Sequence, residues 1–256
     1  MNFKGRAEKI KDIDLPRVGH IIGVGEDPVH AVLDVESAGY GFDKQDRPRM
    51  LFEPHIFYRQ LRSNHAKQKE AMRKGLAYPK WRRNYPKDSY PRLQKAIAID
   101  RDAALRSASW GLGQVMGFNH AAAGHSTVLA FVKAMMRSEG DQLEAMIQFI
   151  LTNGLDDEMR DMEKADNWAQ LVSACRRFAR GYNGPGYEKN NYHTRIAQRY
   201  QFWKGKKDTP WSPFDAAAEE EVEKIEPAGE KTGPLPQPKP APRENWITRF
   251  FKWLAS

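Results

Sequence analysis

The sequence predicts a mostly α-helical protein with one small β-hairpin and a flexible C-terminal tail. Apolar residues recur at helical spacing through most of the chain before position 212, between residues typical of helix starts and stops. One short segment, residues 41–52, lacks this spacing, and the composition changes sharply after Trp211. The chain has 256 residues, of which 40% are hydrophobic, so it can bury a sizeable core.

The first predicted helix ends its apolar face on a carboxylate. Asp27 and Pro28 are typical of a helix start, as N-cap and first-turn proline, and Gly39 can end the helix. The next position on the apolar stripe is Glu36, where partial desolvation and the negative end of the helix dipole both raise the pKa of a carboxyl. This favours a general acid, although a glutamate paired with a basic neighbour at a helix end gives the same pattern. The stripe consists of Val29, Val32 and Leu33.

The predicted hairpin follows that helix. It begins at Gly41, turns at residues 46–48 and continues through the strand RMLF, residues 49–52. Glu53 and Pro54 then begin another helix. Further helices are expected after Ser126, from Gly140 and Asp141, from Asp166, and after Tyr187.

The sequence predicts neither a disulfide nor a metal site, and no cofactor. Cys175 is the single cysteine, which excludes an intramolecular disulfide and a multi-cysteine zinc site. It lies in line with Trp168 and Phe178 on one helical face, so we expect a buried residue and not a nucleophile. His120 and His125 do not have the spacing of zinc ligands.

The last part of the chain differs from the body. Residues 208–243 form an acidic and then proline-rich linker, and residues 244–256 form a short basic amphipathic peptide. That peptide is expected to contact an anionic membrane or outer-membrane surface, or a partner; docking back on the body is the alternative. No apolar run approaches the roughly 20 residues of a membrane span, and the N-terminus has no apolar core of a signal peptide.

Three separated segments resemble the signatures of the lysozyme-like superfamily, which includes goose-type lysozymes and soluble lytic transglycosylases. They are Glu36-Ser37 at a helix end, SASWGLGQVMG at residues 107–117 and ARGYNGPGY at residues 179–187. From about Leu15 to Trp203 the chain looks closer still to the N-acetylmuramidase domain of bacteriophage endolysins. The similar stretches are VESAGYGF, RPRMLFEPHIFYR, SASWGLGQVMGFNH, FVKAMMRSEGDQLEAMIQFI and ARGYNGPGYEKNNYHTRIAQRY.

The resemblance implies a lysozyme-like catalytic domain over residues 1–207 that cleaves the β-1,4 bond between N-acetylmuramic acid and N-acetylglucosamine in peptidoglycan. Glu36 matches the catalytic acid of this family. Hydrolysis usually adds a second carboxylate, and Glu53 is the candidate because it follows the strand expected to line the cleft. The other interpretation of Glu53 is a helix-capping residue. Asp43 and Asp46, on the hairpin turn, are reserve candidates.

Four further residues are expected to bind substrate, because they lie in the matching motifs. Amides both donate and accept hydrogen bonds, which suits sugar hydroxyls and N-acetyl groups. A tyrosine in the third motif is expected to support Glu36. The four residues are Ser37, Gln114, Tyr182 and Asn183.

The charge is concentrated in the body of the protein. Residues 1–214 hold 35 of the 41 basic and 25 of the 33 acidic residues, a net charge of +10. Residues 58–92 alone contain eleven lysines and arginines, interleaved with Tyr78, Trp81, Tyr85 and Tyr90. This pattern is typical of a nucleic-acid groove, but it equally suits sugar rings and the carboxylates of peptidoglycan. With the three motifs, the sequence favours peptidoglycan glycan strands as partner and no nucleic acid.

Two other functions remain open from the sequence. A lytic transglycosylase needs only one catalytic acid/base and forms 1,6-anhydro-muramic acid ends, and a non-catalytic wall-binding module could retain the fold. In the endolysin interpretation we expect a monomer that waits in the host cytoplasm and then acts in the periplasm or cell wall.

Overall fold

The computed structural model describes residues 2–37, 40–82 and 84–213. This part of the chain is mostly helical, as predicted, and includes a small antiparallel sheet. The predicted linker beyond residue 213 and the peptide 244–256 lie outside the described residues. No helix in the described ranges is long and apolar enough to cross a membrane. The helices are Asp14–Ile22 (α1), Glu26–Ser37 (α2), Pro54–Gln60 (α3), His65–Arg73 (α4), Tyr90–Ile97 (α5), Arg101–Arg106 (α6), Val128–Arg137 (α7), Glu139–Thr152 (α8), Asp156–Glu163 (α9), Trp168–Asn183 (α10) and Tyr192–Lys204 (α11), with 3₁₀ turns at Gly117–Asn119 and Pro185–Asn190.

The chain divides into two compact units. The first consists of the described residues of Met1–Ile10 and Val32–Leu151, and the second of those of Lys11–Ala31 and Thr152–Ser256. Helix α2 begins in the second unit and ends in the first. Glu36, at its C-terminal end, therefore belongs to the first unit.

The first unit holds the three-stranded sheet. Strand β1 (Met50–Phe52) pairs antiparallel with β2 (Ala108–Trp110), and β2 pairs with β3 (Val115–Met116). The core of this unit is dominated by aromatic and large aliphatic side chains, some of them on the strands themselves. Fully buried examples are Trp110, Phe52, Phe57, Leu105 and Phe131.

The predicted hairpin is present but short. Its turn is closed by hydrogen bonds from Asp43 N to Arg47 O (2.8 Å) and from Arg49 N to Gly41 O (2.7 Å). Only one antiparallel bridge, Phe42 with Pro48, joins its arms. The strand that follows pairs with β2, residues 108–110, a partner that the sequence analysis did not predict because pairing across so many residues leaves no local pattern.

The second unit is built from α1, the first part of α2 and the helices after residue 151. Cys175 is fully buried on α10, as predicted, and burial raises the pKa of its thiol to about 12. Gly181 on the same helix lets Leu155 pack closely, since a Cβ at Gly181 would overlap the leucine side chain. Trp168 was predicted to share the buried face, and that prediction is wrong: the residue lies in the first turn of α10 and is 43% exposed.

Several helix starts differ from the sequence prediction. Helix α1 was not predicted, and α2 begins at Glu26, so Asp27 lies in its first turn and is not its N-cap. Helix α8 begins at Glu139, where Ser138 Oγ accepts a hydrogen bond from Asp141 N (3.0 Å). Asn167, and not Asp166, caps α10 by accepting from Gln170 N (3.0 Å). For α8 and α10, a side chain one or two residues away from the predicted start satisfies a free N–H group equally well.

Candidate active site

Glu36 lies in the last turn of α2, at the end of a buried apolar stripe. Val29 and Val32 are completely buried and Leu33 nearly so, which confirms the predicted stripe. Glu36 itself is half-buried. The next residue, Ser37, is buried and donates its hydroxyl to Leu33 O (3.2 Å), so this hydroxyl is engaged within its own helix.

Arg49 fixes the C-terminal end of α2. Its guanidinium donates a short hydrogen bond to the Ser37 carbonyl, one of the acceptors that a helix leaves unpaired at this end. A cation is also favoured by the negative end of the helix dipole. The hairpin that carries Arg49 is thereby tied to the turn that carries Glu36.

Glu53 lies directly after β1, at the N-cap position of α3. Its side chain makes no capping hydrogen bond to that helix. Instead Oε2 accepts a hydrogen bond of 2.7 Å from the Tyr85 hydroxyl, which itself accepts one of 2.7 Å from Trp81 Nε1. The Glu53 side chain is only 16% exposed, so this chain of two hydrogen bonds orients it at a largely enclosed position.

Two further groups lie near Glu53. His55 Nδ1 is 3.2 Å from Glu53 Oε2, although the pair lacks hydrogen-bond geometry. Tyr78 is buried, and its hydroxyl has no hydrogen-bond partner within the described ranges. Burial, with a smaller effect of the Glu53 charge, raises the Tyr78 pKa, while Arg92 lowers it.

The second sequence motif, residues 107–117, holds both ends of β1. Gly111 N donates to Arg49 O (2.8 Å), and Glu53 N donates to Ser107 O (2.8 Å). The Arg49 side chain also binds the carbonyl of Ser37 at the end of α2. These bonds form one frame, from the end of α2 through β1 to the second motif, which joins the segments that carry Glu36 and Glu53.

Gln114 braces the loop within this motif. Its amide oxygen accepts from Ser109 Oγ (2.8 Å), and its amide nitrogen donates to Gly111 O (2.8 Å). The residue is half-buried and has a positive φ of 47°, a conformation that few side chains adopt. An amide has two donor and two acceptor positions, so these bonds engage part of its capacity.

Tyr182 and Asn183 belong to the second unit, whereas the other predicted site residues belong to the first. The Tyr182 ring lies nearly parallel to that of Phe178, with centroids 5.3 Å apart. Asn183 is the last residue of α10, and Gly184 turns the chain with a φ of 75°.

Comparison with known proteins identifies the family. The family model for N-acetylmuramidase matches residues 26–204. The chain belongs to the N-acetylmuramidase family. Among solved structures it is similar to the crystal structure of the Burkholderia AP3 phage endolysin, with 34% sequence identity and a TM-score of 0.64 over 78% of this chain and 73% of that chain. No curated protein matches the sequence.

Family membership confirms the resemblance inferred from the three motifs, and the fold matches that of a phage endolysin. The chain is therefore a peptidoglycan-cleaving muramidase. Glu36 and Glu53 both lie inside the range that the family model matches, residues 26–204.

Sequence reasoning missed two buried polar residues of this muramidase, Glu139 and Gln142. Glu139 Oε1 accepts from Gly41 N (2.8 Å) and from Lys9 Nζ (2.9 Å). Gln142 Oε1 accepts from Leu112 N (2.9 Å). Together they hold the loop after Glu36 and the loop of the second motif, and both are about 1% exposed.

A signal for these two residues was present in the sequence. Glu139 and Gln142 are three apart on α8 and lie on a face otherwise lined by buried apolar residues. Polar groups on a buried helix face must find partners, and backbone N–H groups of neighbouring loops are the usual ones.

The reserve carboxylates serve the hairpin turn. Asp43 Oδ1 accepts from the backbone N–H groups of Gln45 (2.9 Å) and Arg47 (3.0 Å), and Oδ2 accepts from Arg47 Nε (2.8 Å). Asp46 is exposed and has a positive φ of 58°. The geometry of Asp43 therefore indicates a turn-stabilising carboxylate, which leaves Glu53 as the stronger candidate.

Histidine, cysteine and carboxylate groups do not gather into a metal-binding cluster anywhere in the described ranges. His120 Nδ1 lies 3.1 Å from Gly117 O, and burial lowers the His120 pKa. That histidine therefore stabilises a local turn as a neutral ring.

Proposed function

We propose that this muramidase hydrolyses the β-1,4 bond between N-acetylmuramic acid and N-acetylglucosamine, with Glu36 as general acid and Glu53 as the second carboxylate. The observation that supports this most is the environment of Glu53. One oxygen is held by Tyr85, and the other, Oε1, makes no hydrogen bond or ion pair with any residue that the structure describes. An oriented carboxylate with one oxygen free is what activation of water requires.

The proposed reaction has two coupled parts. The Glu36 carboxyl gives its proton to the glycosidic oxygen while the bond from that oxygen to the muramic acid C1 breaks. Glu53 stabilises the resulting oxocarbenium-like centre or takes a proton from the water that attacks C1. The products are a free 4-hydroxyl on one sugar and a reducing muramic acid end on the other.

Substrate contacts are proposed for the remaining motif residues. The amide nitrogen of Gln114 donates to Gly111 O and, at 3.4 Å, to Arg49 O, so its amide oxygen offers the one remaining acceptor position, while Tyr182 and Asn183 come from the third motif. Because the Ser37 hydroxyl donates within its own helix, its proposed role is to hold the turn of Glu36. By analogy with the phage endolysin, we propose that the enzyme lyses the host from inside, as a monomer, with peptide 244–256 acting at an anionic membrane surface.

Mass spectrometry of digested peptidoglycan tests the reaction. Reducing muramic acid ends support hydrolysis, whereas 1,6-anhydro ends would establish a lytic transglycosylase and remove the need for Glu53. In the same assay Glu36→Gln is expected to lose about a hundredfold or more of the activity, because the amide cannot protonate the leaving oxygen. Activity unchanged in Glu36→Gln would overturn the assignment of the acid.

A further inference from the structure

Trp81 combines high exposure with a fixed orientation. The side chain is 58% exposed, yet its indole N–H donates to the Tyr85 hydroxyl at 2.7 Å. The two rings lie 6.4 Å apart, tilted by 51°. A large apolar ring left in solvent is unfavourable, and fixing it costs side-chain entropy, so such a ring is typical of a contact surface for a ligand.

The neighbouring aromatic residues do not offer an open face of this kind. Tyr78 and Tyr90 are buried, and the Tyr90 hydroxyl donates to Pro48 O (2.6 Å). Tyr85 is half-buried between Trp81 and Glu53. Of the aromatic side chains predicted to form a surface in residues 78–90, Trp81 is the one whose ring remains largely accessible.

The position of Trp81 connects its exposed ring with the substrate that is proposed for Glu53. Only the Tyr85 hydroxyl separates the indole N–H from Oε2 of Glu53. Two hydrogen bonds of 2.7 Å each therefore link the indole to the carboxylate at which the glycan bond is proposed to be cut, which favours the same strand as the ligand of the exposed ring. The apolar face of a pyranose ring suits contact with an aromatic ring, and nearby Arg82, with its guanidinium 4.9 Å from the Tyr78 ring centroid, suits the carboxylates of stem peptides.

We propose that Trp81 is a sugar-binding subsite, on which one pyranose ring of the glycan strand stacks while the neighbouring bond is cleaved at Glu53. This inference rests on the proposed function, since it takes the glycan strand as substrate. It adds a specific binding residue outside the three motifs.

The test measures binding of peptide-free glycan strands, prepared from purified peptidoglycan, to Glu36→Gln protein, which prevents turnover. Trp81→Ala in this background is expected to weaken binding about five- to tenfold, the loss typical of one aromatic contact. Trp81→Phe keeps an aromatic face and is expected to retain binding within about threefold. Trp168→Ala, which removes a tryptophan that is 43% exposed in the second unit, is the matched control and is expected to change nothing.

Each other outcome overturns the subsite. Binding within twofold of the parent in Trp81→Ala contradicts it directly, and equal losses in Trp81→Phe and Trp81→Ala indicate that the N–H link, and not the ring face, matters. Binding of a single-stranded oligonucleotide that is tighter than glycan binding and depends on Trp81 would assign the surface to nucleic acid. Reducing-end analysis of wild-type digests is independent of these results, so a failed subsite and a failed hydrolase remain distinguishable.

Discussion

The Tyr85 hydroxyl donates a 2.7 Å hydrogen bond to Oε2 of Glu53, across 32 residues of sequence. A tyrosine hydroxyl that gives its proton to one partner can still accept from another, and here it accepts from Trp81. Burial, the Glu53 hydrogen bond and the Glu53 charge all raise the Tyr85 pKa, so the hydroxyl stays protonated and remains a donor at neutral pH. The orientation of Glu53, the proposed second carboxylate, therefore depends on a loop that lies 32 residues away in the sequence.

Removal of this hydroxyl is expected to slow the reaction without weakening substrate binding. In Tyr85→Phe, Glu53 loses the donor that orients it, and kcat on soluble glycan strands should fall about three- to tenfold while KM changes little. Tyr187→Phe is the matched control, because its hydroxyl donates to Glu188 (2.9 Å) in the second unit. A drop confined to KM, or an equal drop in Tyr187→Phe, would contradict the positioning role.

Substitution of Glu53 separates catalysis from helix capping. Glu53 makes no capping hydrogen bond, so Glu53→Gln should reduce kcat about a hundredfold while the free energy of unfolding changes by less than about 0.5 kcal/mol. Asn64→Ala provides the contrast, since Asn64 Oδ1 accepts from Lys67 N (3.1 Å) and its loss should cost about 1 kcal/mol. Urea denaturation and kinetics on the two variants give the comparison. Near-normal activity with lowered stability in Glu53→Gln would restore the capping interpretation.

Local signals single out both candidate carboxylates in the sequence. Glu36 ends an apolar stripe of a single helix, and Glu53 follows a strand and precedes a proline, while their catalytic roles were inferred from the resemblance to the family and stay predictions. Both patterns depend on residues a few positions apart, where periodicity and capping preferences act. The buried stripe before Glu36 is present in the structure as predicted.

Long-range contacts explain what the sequence could not predict. The bond from Tyr85 to Glu53 spans 32 residues, and that from Gly41 to Glu139 spans 98. Neither Tyr85 nor Gly41 lies on a periodic segment, so no spacing rule connects them with their partners. The pairing of β2 with β1 was missed for the same reason, and the pairing of β2 with nearby β3 was missed because strands of three and two residues leave almost no alternating pattern.

Asp27 is expected to make stability fall as pH rises. Burial, and then the charges of Asp208, Glu26 and Glu163, raise its pKa from 3.8 to about 6, against a weaker opposing effect of Lys204. Between these values the folded state holds a proton that the unfolded state has lost, so the free energy of unfolding decreases as pH rises through this window. The full shift corresponds to about 3 kcal/mol, which solvent screening at this half-exposed site reduces to about 1 kcal/mol.

Asp27→Asn tests this directly. Urea denaturation at pH 7.5 should show the variant more stable than the parent by up to about 1 kcal/mol, whereas at pH 4, where Asp27 is protonated in the folded state, the two proteins should be about equally stable. Asp156→Asn is the control in the same unit. It removes an ion pair of 2.8 Å with Arg160 and should lower stability at pH 7.5. Equal stability of Asp27→Asn and parent at both pH values would contradict the prediction.

Alanine substitutions at two glycines with the same φ distinguish the stability cost of backbone strain from the cost of poor packing. Gly75 and Gly111 both have a φ of 69°, which a residue with a Cβ adopts at a cost of about 1 kcal/mol. A Cβ on Gly75 would meet nothing within 4 Å, whereas one on Gly111 would lie 2.8 Å from the side chain of buried Gln142. Gly75→Ala should therefore lose about 1 kcal/mol of stability, and Gly111→Ala about 2–4 kcal/mol because a close-packed buried group must also move.

The same pair of variants links packing to activity. Gln142 holds the Leu112 backbone (2.9 Å), and Gly111 N donates to Arg49 O in the frame that carries both carboxylates. Gly111→Ala is expected to reduce kcat about tenfold in the fraction that remains folded, since a displacement of about 1 Å near the reacting groups has effects of this size or larger. Gly75→Ala should keep full activity after correction for the folded fraction. Equal stability losses in the two variants would show that the Gln142 side chain moves aside for the added methyl group at little cost. The geometry of the frame would then not depend on a glycine at position 111.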